Sequence, residues 1–292
     1  MKVAVESLAV GDRIWELAQQ YSRRINECEL ATSCRNLTLP KERYFGYVTA
    51  MYPIVVGFNR ALIRSMAKVD HVRQSQLVKH LCEQLREEQM HNALWRSKMD
   101  KYGLDHEQLY TDLETYLGRF SDDELNAMTD QMIAVAREDV ANVAPGIFPD
   151  AVVPEPVLGL YHLLYQTATD PEVDFWEHFA CQSAVEYIIF EVVSTSVYPG
   201  VSGREDLNLG APTTRWWEEH ARQGSEIMGK RSDEEKHLEL SKLALNRTER
   251  VNELADRIVA RAEDAMCLFA GSAICHDADK AVFSAGPYLA AG

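Results

Sequence analysis

Apolar residues recur at intervals of three and four positions along most of the chain, while strict alternation of apolar and polar residues is nearly absent. The first spacing places apolar side chains on one face of an α-helix, whereas alternation is typical of a half-buried strand. The pattern predicts an all-α fold with helices at residues 12–29, 41–68, 71–102, 106–118, 122–142, 155–168, 173–197, 213–245 and 248–272.

Two stretches rich in proline and glycine, residues 143–159 and 198–212, interrupt the helical pattern. The helices that flank them carry matching polar residues within their apolar stripes. We therefore interpret both stretches as excursions within a single domain that spans residues 1–285. We expect the last residues, 286–292, to form a disordered tail, because chain ends with few apolar side chains are seldom held in place.

The net charge of -15 over 292 residues opposes binding to nucleic acid or to an anionic membrane surface, because both require a basic surface. No apolar run reaches membrane-spanning length, and the N-terminus does not have the pattern of a signal peptide. The six cysteines form no CxxC pair, which fits reduced thiols. We expect a soluble, cytoplasmic protein.

Charged and imidazole side chains stand in the apolar stripe of the helix predicted at 71–102. Read at helical spacing, the stripe passes from leucines to Glu88, His91 and Trp95. Glu88 and His91 are three residues apart, so they project side by side and can share a metal ion. The sequence thus predicts that polar groups enter the core from this helix.

Two later helices repeat the pattern. Glu186 lies between apolar neighbours of the helix at 173–197, and Glu234 with His237 repeats the spacing of three within the helix at 213–245. Burying several unpaired carboxylates costs several kcal/mol each, so they must pair, become neutral or bind cations. Oxygen-rich sites with a minority of histidine favour iron or manganese. A lone Glu-x-x-His pair is more often an ordinary surface feature, and only the repetition of the pattern favours a metal site.

A ferritin-like bundle is one framework for such a site, and it takes a carboxylate from each of its four helices. Here the segment between Glu42 and Asp70 contains no acid. The position level with Glu88 would fall near Tyr52, which offers no carboxylate. A ferritin-like di-iron protein therefore remains only a secondary alternative.

The segment YPIVVGFNRALIRSMAKVDHVRQSQLVKHLCEQLREEQMHNALWRSKMDKYGLD resembles the opening pair of core helices of the haem-oxygenase-like dimetal oxidases and oxygenases. The resemblance continues through CQSAVEYIIFEVVSTSVYPG and DEEKHLELSKLAL, and it covers residues 41–103 and 173–246. It implies a haem-oxygenase-like helical bundle with two metal ions.

The resemblance also implies which residues hold the metals, and five of the six family positions match: Glu88, His91, Glu186, Glu234 and His237. The sixth position, a histidine in the family, is Lys230 here. His220 could replace it only across a break, because seventeen residues of straight helix span about 25 Å at about 1.5 Å per residue. A neutral Lys230 could instead bind metal or substrate. We expect a weakened second metal site.

The activity that the resemblance implies is an O2-dependent, non-haem di-iron oxidoreductase with two Fe(II) as cofactor. Its expected substrate is a small carboxylate, most simply an amino acid of natural-product biosynthesis, oxidised at a C–H bond or an amine. Candidate pocket residues are Tyr187, Trp95 and Arg60, the last for the substrate's carboxylate. The resemblance leaves room for an external electron donor and for a homodimer.

A function of another class stays open on the same fold. Metal-free relatives that resemble thiaminases act as hydrolases or small-molecule-binding proteins, with the acids in general acid–base roles. The resemblance implies that those relatives use a pocket cysteine. Cys181 and Cys82 are the candidates for it in this chain.

Overall fold

The computed structural model describes residues 9–221, 233–277 and 283–289, and for Asp233 and Glu234 it describes only the backbone. The described residues contain no β-strand, and Leu104 and Leu289 form an isolated bridge. The predicted all-α fold is confirmed. The helices are α1 (Val10–Glu27), α2 (Glu29–Arg35), α3 (Lys41–Ser65), α4 (Ser75–Lys101), α5 (His106–Leu117), α6 (Asp122–Glu138), α7 (Glu155–Thr169), α8 (Phe175–Val192), α9 (Tyr198–Ser202), α10 (Ala211–Glu219), α11 (Asp233–Arg247), α12 (Glu249–Glu253) and α13 (Ala255–Ile274).

Helix α8 lies at the centre of the bundle, and it is buried on nearly all sides along its length. It packs against α1, α7, α11 and α13. Asp174 caps its first turn, where the Asp174 side chain accepts a hydrogen bond from the backbone N–H of Trp176 and Glu177 bonds back to the backbone of Asp174. Such reciprocal capping satisfies donors that a buried helix start would otherwise leave unpaired. The position of Glu186, three turns further on, is thereby fixed inside the core.

Helix α4 packs between α3 and α10 and buries one narrow stripe. From Leu81 to Lys98, successive buried positions are three or four residues apart, the spacing of one helical face, and Met99 directly follows Lys98. The stripe consists of Leu81, Gln84, Glu88, His91, Trp95, Lys98 and Met99. The prediction that Glu88 and His91 face inward agrees with this placement.

The helix predicted over residues 213–245 is not continuous. Helix α10 ends at Glu219, His220 has a non-helical backbone (φ -94°, ψ 6°), and α11 begins at Asp233. The backbone N–H of His220 still bonds to the carbonyl of Trp216, so the chain leaves the helix directly after a closed last turn. The long apolar periodicity on both sides of this break made the two helices look like one.

Helix α8 continues into a π-helical turn, Val193–Val197, and then into α9. π-helical turns within α-helices occur frequently beside functional sites. Here Val192 and Val193, at the start of this turn, line the cavity described below. A close approach follows at Gly200, where a β-carbon would collide with the carbonyl of Cys34.

The disordered tail predicted for residues 286–292 is wrong for its first four residues. Tyr288 is buried, and its carbonyl accepts a hydrogen bond of 2.6 Å from the backbone N–H of Asp105. The aromatic ring supplies the apolar contact that anchors this segment beside α5. Residues 290–292 lie outside the described ranges.

Among the described residues, none of the helices combines the length and the apolar composition that crossing a bilayer requires.

Candidate functional site

A mostly apolar cavity of about 40 Å³ lies between α1, α3, α4, α8, α10 and α13. Its described lining contains many aromatic rings but also two carboxyl groups and one imidazole: Glu88, Glu186 and His220. The volume suffices for a few water molecules. The walls must therefore move apart to admit a ring-sized molecule.

Glu186 is the most deeply buried carboxylate of the cavity. Its Oε1 accepts hydrogen bonds from Gln84 Nε2 at 2.7 Å and from Gln182 Nε2 at 3.2 Å, while Oε2 has no hydrogen-bond partner among the described residues. Burial, and then the charge of Glu88, raise the pKa of Glu186 well above its usual range. The two amide donors oppose this rise. The carboxyl group is thus held in place but biased toward its protonated form.

Glu88 and His91 lie together on α4, as their spacing predicts. His91 Nδ1 is 3.5 Å from Glu88 Oε1, and both side chains are buried. Glu88 comes close enough to Glu186 for its charge to act on that carboxyl group. Two carboxylates and an imidazole from facing helices therefore meet beside the cavity.

His220 joins this group because α10 ends directly before it. Its ring lies against the ring of His91, with centroids 4.2 Å apart, and it stacks on Trp216 at 3.7 Å. His220 Nδ1 donates to the Trp216 carbonyl at 2.8 Å. Burial lowers the pKa of His220 well below its usual range, and the neighbouring His91 lowers it further. The sequence left His220 as a candidate only if the predicted helix is broken, and helix α10 does end at Glu219, directly before it.

His237 contacts Glu87, a carboxylate that is not part of the predicted metal set. Its Nδ1 lies 3.0 Å from Glu87 Oε2, and its ring centroid lies 5.4 Å from that of His80. Glu87 neighbours Glu88 in the chain but faces α11, since successive residues of a helix point about 100° apart. The charge of Glu87 still raises the pKa of Glu186, so this second group borders the first.

The remaining two positions of the predicted metal set cannot be placed. Lys230 lies outside the described residues, and so does the side chain of Glu234. Within the described part of the chain, no group of three or more His, Cys, Asp and Glu side chains is arranged to hold a metal ion.

Only one of the three predicted pocket residues lines the cavity. Trp95 does so, and its indole N–H donates to the carbonyl of Val48 at 3.1 Å. Tyr187 points to the opposite side of α8, where its hydroxyl accepts a hydrogen bond from Gln19 and its ring packs on Trp15. Tyr187 directly follows Glu186, and because successive residues of a helix point about 100° apart, its side chain turns away from the cavity.

Arg60 also lies away from the cavity. Its guanidinium bonds to Glu114 Oε1 and to the Tyr161 hydroxyl, both at 2.9 Å. These partners belong to α5 and α7, on the outer side of α3. The structure therefore does not place Arg60 where it could bind a substrate carboxylate in this cavity.

Neither candidate cysteine lines the cavity. Cys181 is buried on α8 and its thiol lies 3.2 Å from the carbonyl of Arg261, while Cys82 is exposed on α4. Burial raises the pKa of the Cys181 thiol, which disfavours the nucleophilic thiolate.

Sequence reasoning missed Lys98, which lies behind the aromatic wall of the cavity. The side chain is 0% exposed, and Nζ lies over the rings of Trp95, Trp216 and Trp217 at 4.0, 4.9 and 3.5 Å from their centroids. The signal was available, because Lys98 follows His91 by seven residues and Trp95 by three on the same buried stripe.

Comparison with known proteins identifies the fold: the chain adopts the haem-oxygenase-like all-helical bundle. More particularly, it resembles two solved TenA homologues. One, from Pseudomonas syringae pv. tomato, is 17% identical with a TM-score of 0.56, covering 93% of this chain and 96% of its own. The other, from P. horikoshii, is 12% identical with a TM-score of 0.54, covering 92% of this chain and 98% of its own. Such identities establish the fold alone. No family model and no curated protein matches the sequence.

Proposed function

We propose that this protein is a small-molecule enzyme that works by general acid–base catalysis, as a thiaminase-like hydrolase on the TenA-type fold. One observation carries the proposal: Glu88, Glu186 and His220 converge on a single enclosed aromatic cavity. Buried titratable groups whose surroundings push their pKa values in opposite directions are typical of acid–base pairs.

The two directions assign the two roles. Glu186, with its raised pKa, keeps a proton that it can give to a leaving group. His220, with its lowered pKa, stays neutral, and because Nδ1 donates to a backbone carbonyl, the lone pair is on Nε2. His220 takes a proton from water, which attacks the substrate, while Glu186 protonates the group that departs. This scheme uses water as the nucleophile and requires no cysteine.

The charge of the lining favours a cationic substrate. The described lining contains two carboxyl groups, of which Glu186 is biased toward its protonated form, and one neutral histidine, and it contains neither lysine nor arginine. Aromatic walls attract cations through the faces of their rings. We therefore propose a small ring-bearing cation as the substrate, where the resemblance implied a small carboxylate.

The test is turnover of a panel of ring-bearing cations, headed by thiamine, by protein treated with a metal chelator and followed by mass spectrometry. We expect hydrolysis by the wild type and by Glu83→Gln, an exposed control on α4, but not by Glu186→Gln. A panel that remains intact with the wild type contradicts the proposal.

A dimetal oxygenase is the second candidate, and a specific observation favours it. Glu186 Oε2 is buried without a hydrogen-bond partner among the described residues, beside Glu88 and His91. Such an oxygen, with a second carboxylate and an imidazole, matches the donor set that iron prefers. The described side chains are not arranged around a metal ion in this structure, so Glu88, Glu186 and His91 would hold iron only after rearranging. Iron bound there would supply O2-dependent redox chemistry.

Anaerobic Fe(II) titration followed by exposure to O2 distinguishes this candidate. If the protein is a dimetal oxygenase, the wild type should bind iron tightly, and His91→Ala should lose this binding. His106→Ala should retain it, because the imidazole of His106 pairs with Asp100 away from the cavity. Absence of tight iron binding by the wild type would exclude the second candidate and leave the first untouched.

A further inference from the structure

We propose that Lys98 is a positioning residue, whose amine holds Trp216 and, through it, the base His220. The inference rests on the proposed function for its catalytic consequence. The structural link from the Lys98 amine through Trp216 to the His220 imidazole depends only on the observed contacts.

The amine is enclosed by the tryptophans of two helices. Trp95 belongs to α4, and Trp216 and Trp217 belong to α10. Nζ faces all three rings, and the rings of Trp95 and Trp216 meet edge to face at 4.7 Å. N–H groups, neutral ones included, are attracted to the faces of aromatic rings. The amine thus connects the two helices at the wall of the cavity.

Stability does not account for a lysine at this position. Nζ has no hydrogen-bond partner among the described residues, and no carboxylate pairs with it there. Burial lowers the pKa of Lys98 well below its usual range, with no opposing attraction. A buried amine without an acceptor costs free energy, whereas a methionine of similar length would pack at no such cost. The residue therefore reduces stability, which suggests that it contributes in another way.

Lys98 contributes through Trp216, the ring that it contacts and that in turn holds His220. Trp216 holds His220 twice, through ring stacking at 3.7 Å and through its own backbone carbonyl. Helix α10 has nine residues and ends directly before His220. A displacement of Trp216 therefore moves the imidazole of His220 relative to His91. Lys98 Nζ, at 4.9 Å from the ring centroid of Trp216, and Trp95, at 4.7 Å between centroids, together hold Trp216 against α4.

Lys98→Met tests the inference, because it keeps the length and volume of the side chain and removes only the amine. Lys98→Leu is the second volume-conserving variant and answers the same question where Lys98→Met does not fold. Lys101→Met is the control, since Lys101 is exposed at the end of the same helix.

The decisive readout is the ring nitrogen NMR spectrum of protein labelled at histidine, with His220 assigned by its loss in His220→Gln. We expect Lys98→Met to unfold at the same or a higher denaturant concentration than the wild type. We also expect the signal of Nδ1 donating to a carbonyl to be lost or averaged, and kcat/KM to fall about ten-fold or more, the scale of a misplaced catalytic group.

An unchanged His220 signal in Lys98→Met and in Lys98→Leu would overturn the inference, whatever the activity. A lost signal in both, with the control unchanged, would support it even if no panel compound were turned over. Failure of the proposed function and failure of this inference are thereby read from separate measurements.

Discussion

The imidazole rings of His91 and His220 lie 4.2 Å apart between their centroids, although they belong to separate parts of the chain. His91 comes from the middle of α4, and His220 directly follows the last residue of α10. The contact explains how a short helix can complete a site built mainly on long ones. It also joins the carboxylates of the cavity to a neutral base.

Replacing Glu186 by glutamine should abolish turnover while preserving the fold. The amide keeps the shape of the side chain but has no proton of suitable acidity, so the loss should be about a hundred-fold or more, the usual contribution of a general acid. Steady-state kinetics on the panel measures it. Full activity of Glu186→Gln, with Glu83→Gln as reference, would remove Glu186 from the mechanism.

Acid should destabilise the protein through its buried histidines, and His178 is the clearest case. Burial, and then the nearby charge of Lys68, lower the pKa of His178 to about 3, and Thr167 Oγ1 lies 3.0 Å from its Nδ1. A folded pKa below the unfolded value means that the unfolded chain binds the proton first. The stability that His178 contributes is therefore present above about pH 6.5 and is lost as the pH falls toward 3.

Urea unfolding at pH 7.0 and at pH 4.5 tests this dependence. The free energy of unfolding of the wild type should fall between pH 7.0 and pH 4.5. In His178→Asn this fall should be smaller by about 2 kcal/mol, even if the variant is less stable at both pH values. His71→Asn, at an exposed position, should leave the loss unchanged. Equal losses in the wild type and in His178→Asn would show that His178 is not buried in its neutral form.

The outward placement of Arg60 predicts a structural effect without a functional one. Arg60→Gln should lower the unfolding free energy by about 0.5–1 kcal/mol, because its ion pair with Glu114 is partly solvated. Ligand binding should stay within experimental error of the wild type and of Arg64→Gln, an exposed control. Weakened binding of carboxylate ligands in Arg60→Gln alone would restore the role expected from the sequence.

Helical periodicity was sufficient to predict the fold class and the inward faces of α4 and α8. Those faces depend only on spacing along one helix, as with Glu88 and His91. Contacts between helices could not be predicted in the same way. The pairing of His237 with Glu87 and the outward turn of Tyr187 each depend on which of two adjacent residues faces the neighbouring helix, a difference of about 100° around the helix axis.

Two features of the site depend on tertiary structure. The break after Glu219 brings His220 to the cavity, and no proline marks that position in the sequence. The burial of Lys98 runs against the usual preference of lysine for the surface. Only the approach of α10 to α4 shows that three tryptophans surround its amine.

The most direct test of the account is tryptophan fluorescence of chelator-treated protein during titration with thiamine and the other ring-bearing cations. Because Trp95, Trp216 and Trp217 lie in the cavity wall, a bound ligand should change their emission. The account predicts saturable quenching for the wild type and Glu83→Gln, and its loss in a double variant of Glu88→Gln with Glu186→Gln. Equal quenching in that double variant, or none with any cation in the wild type, would contradict an acid–base site for cationic substrates.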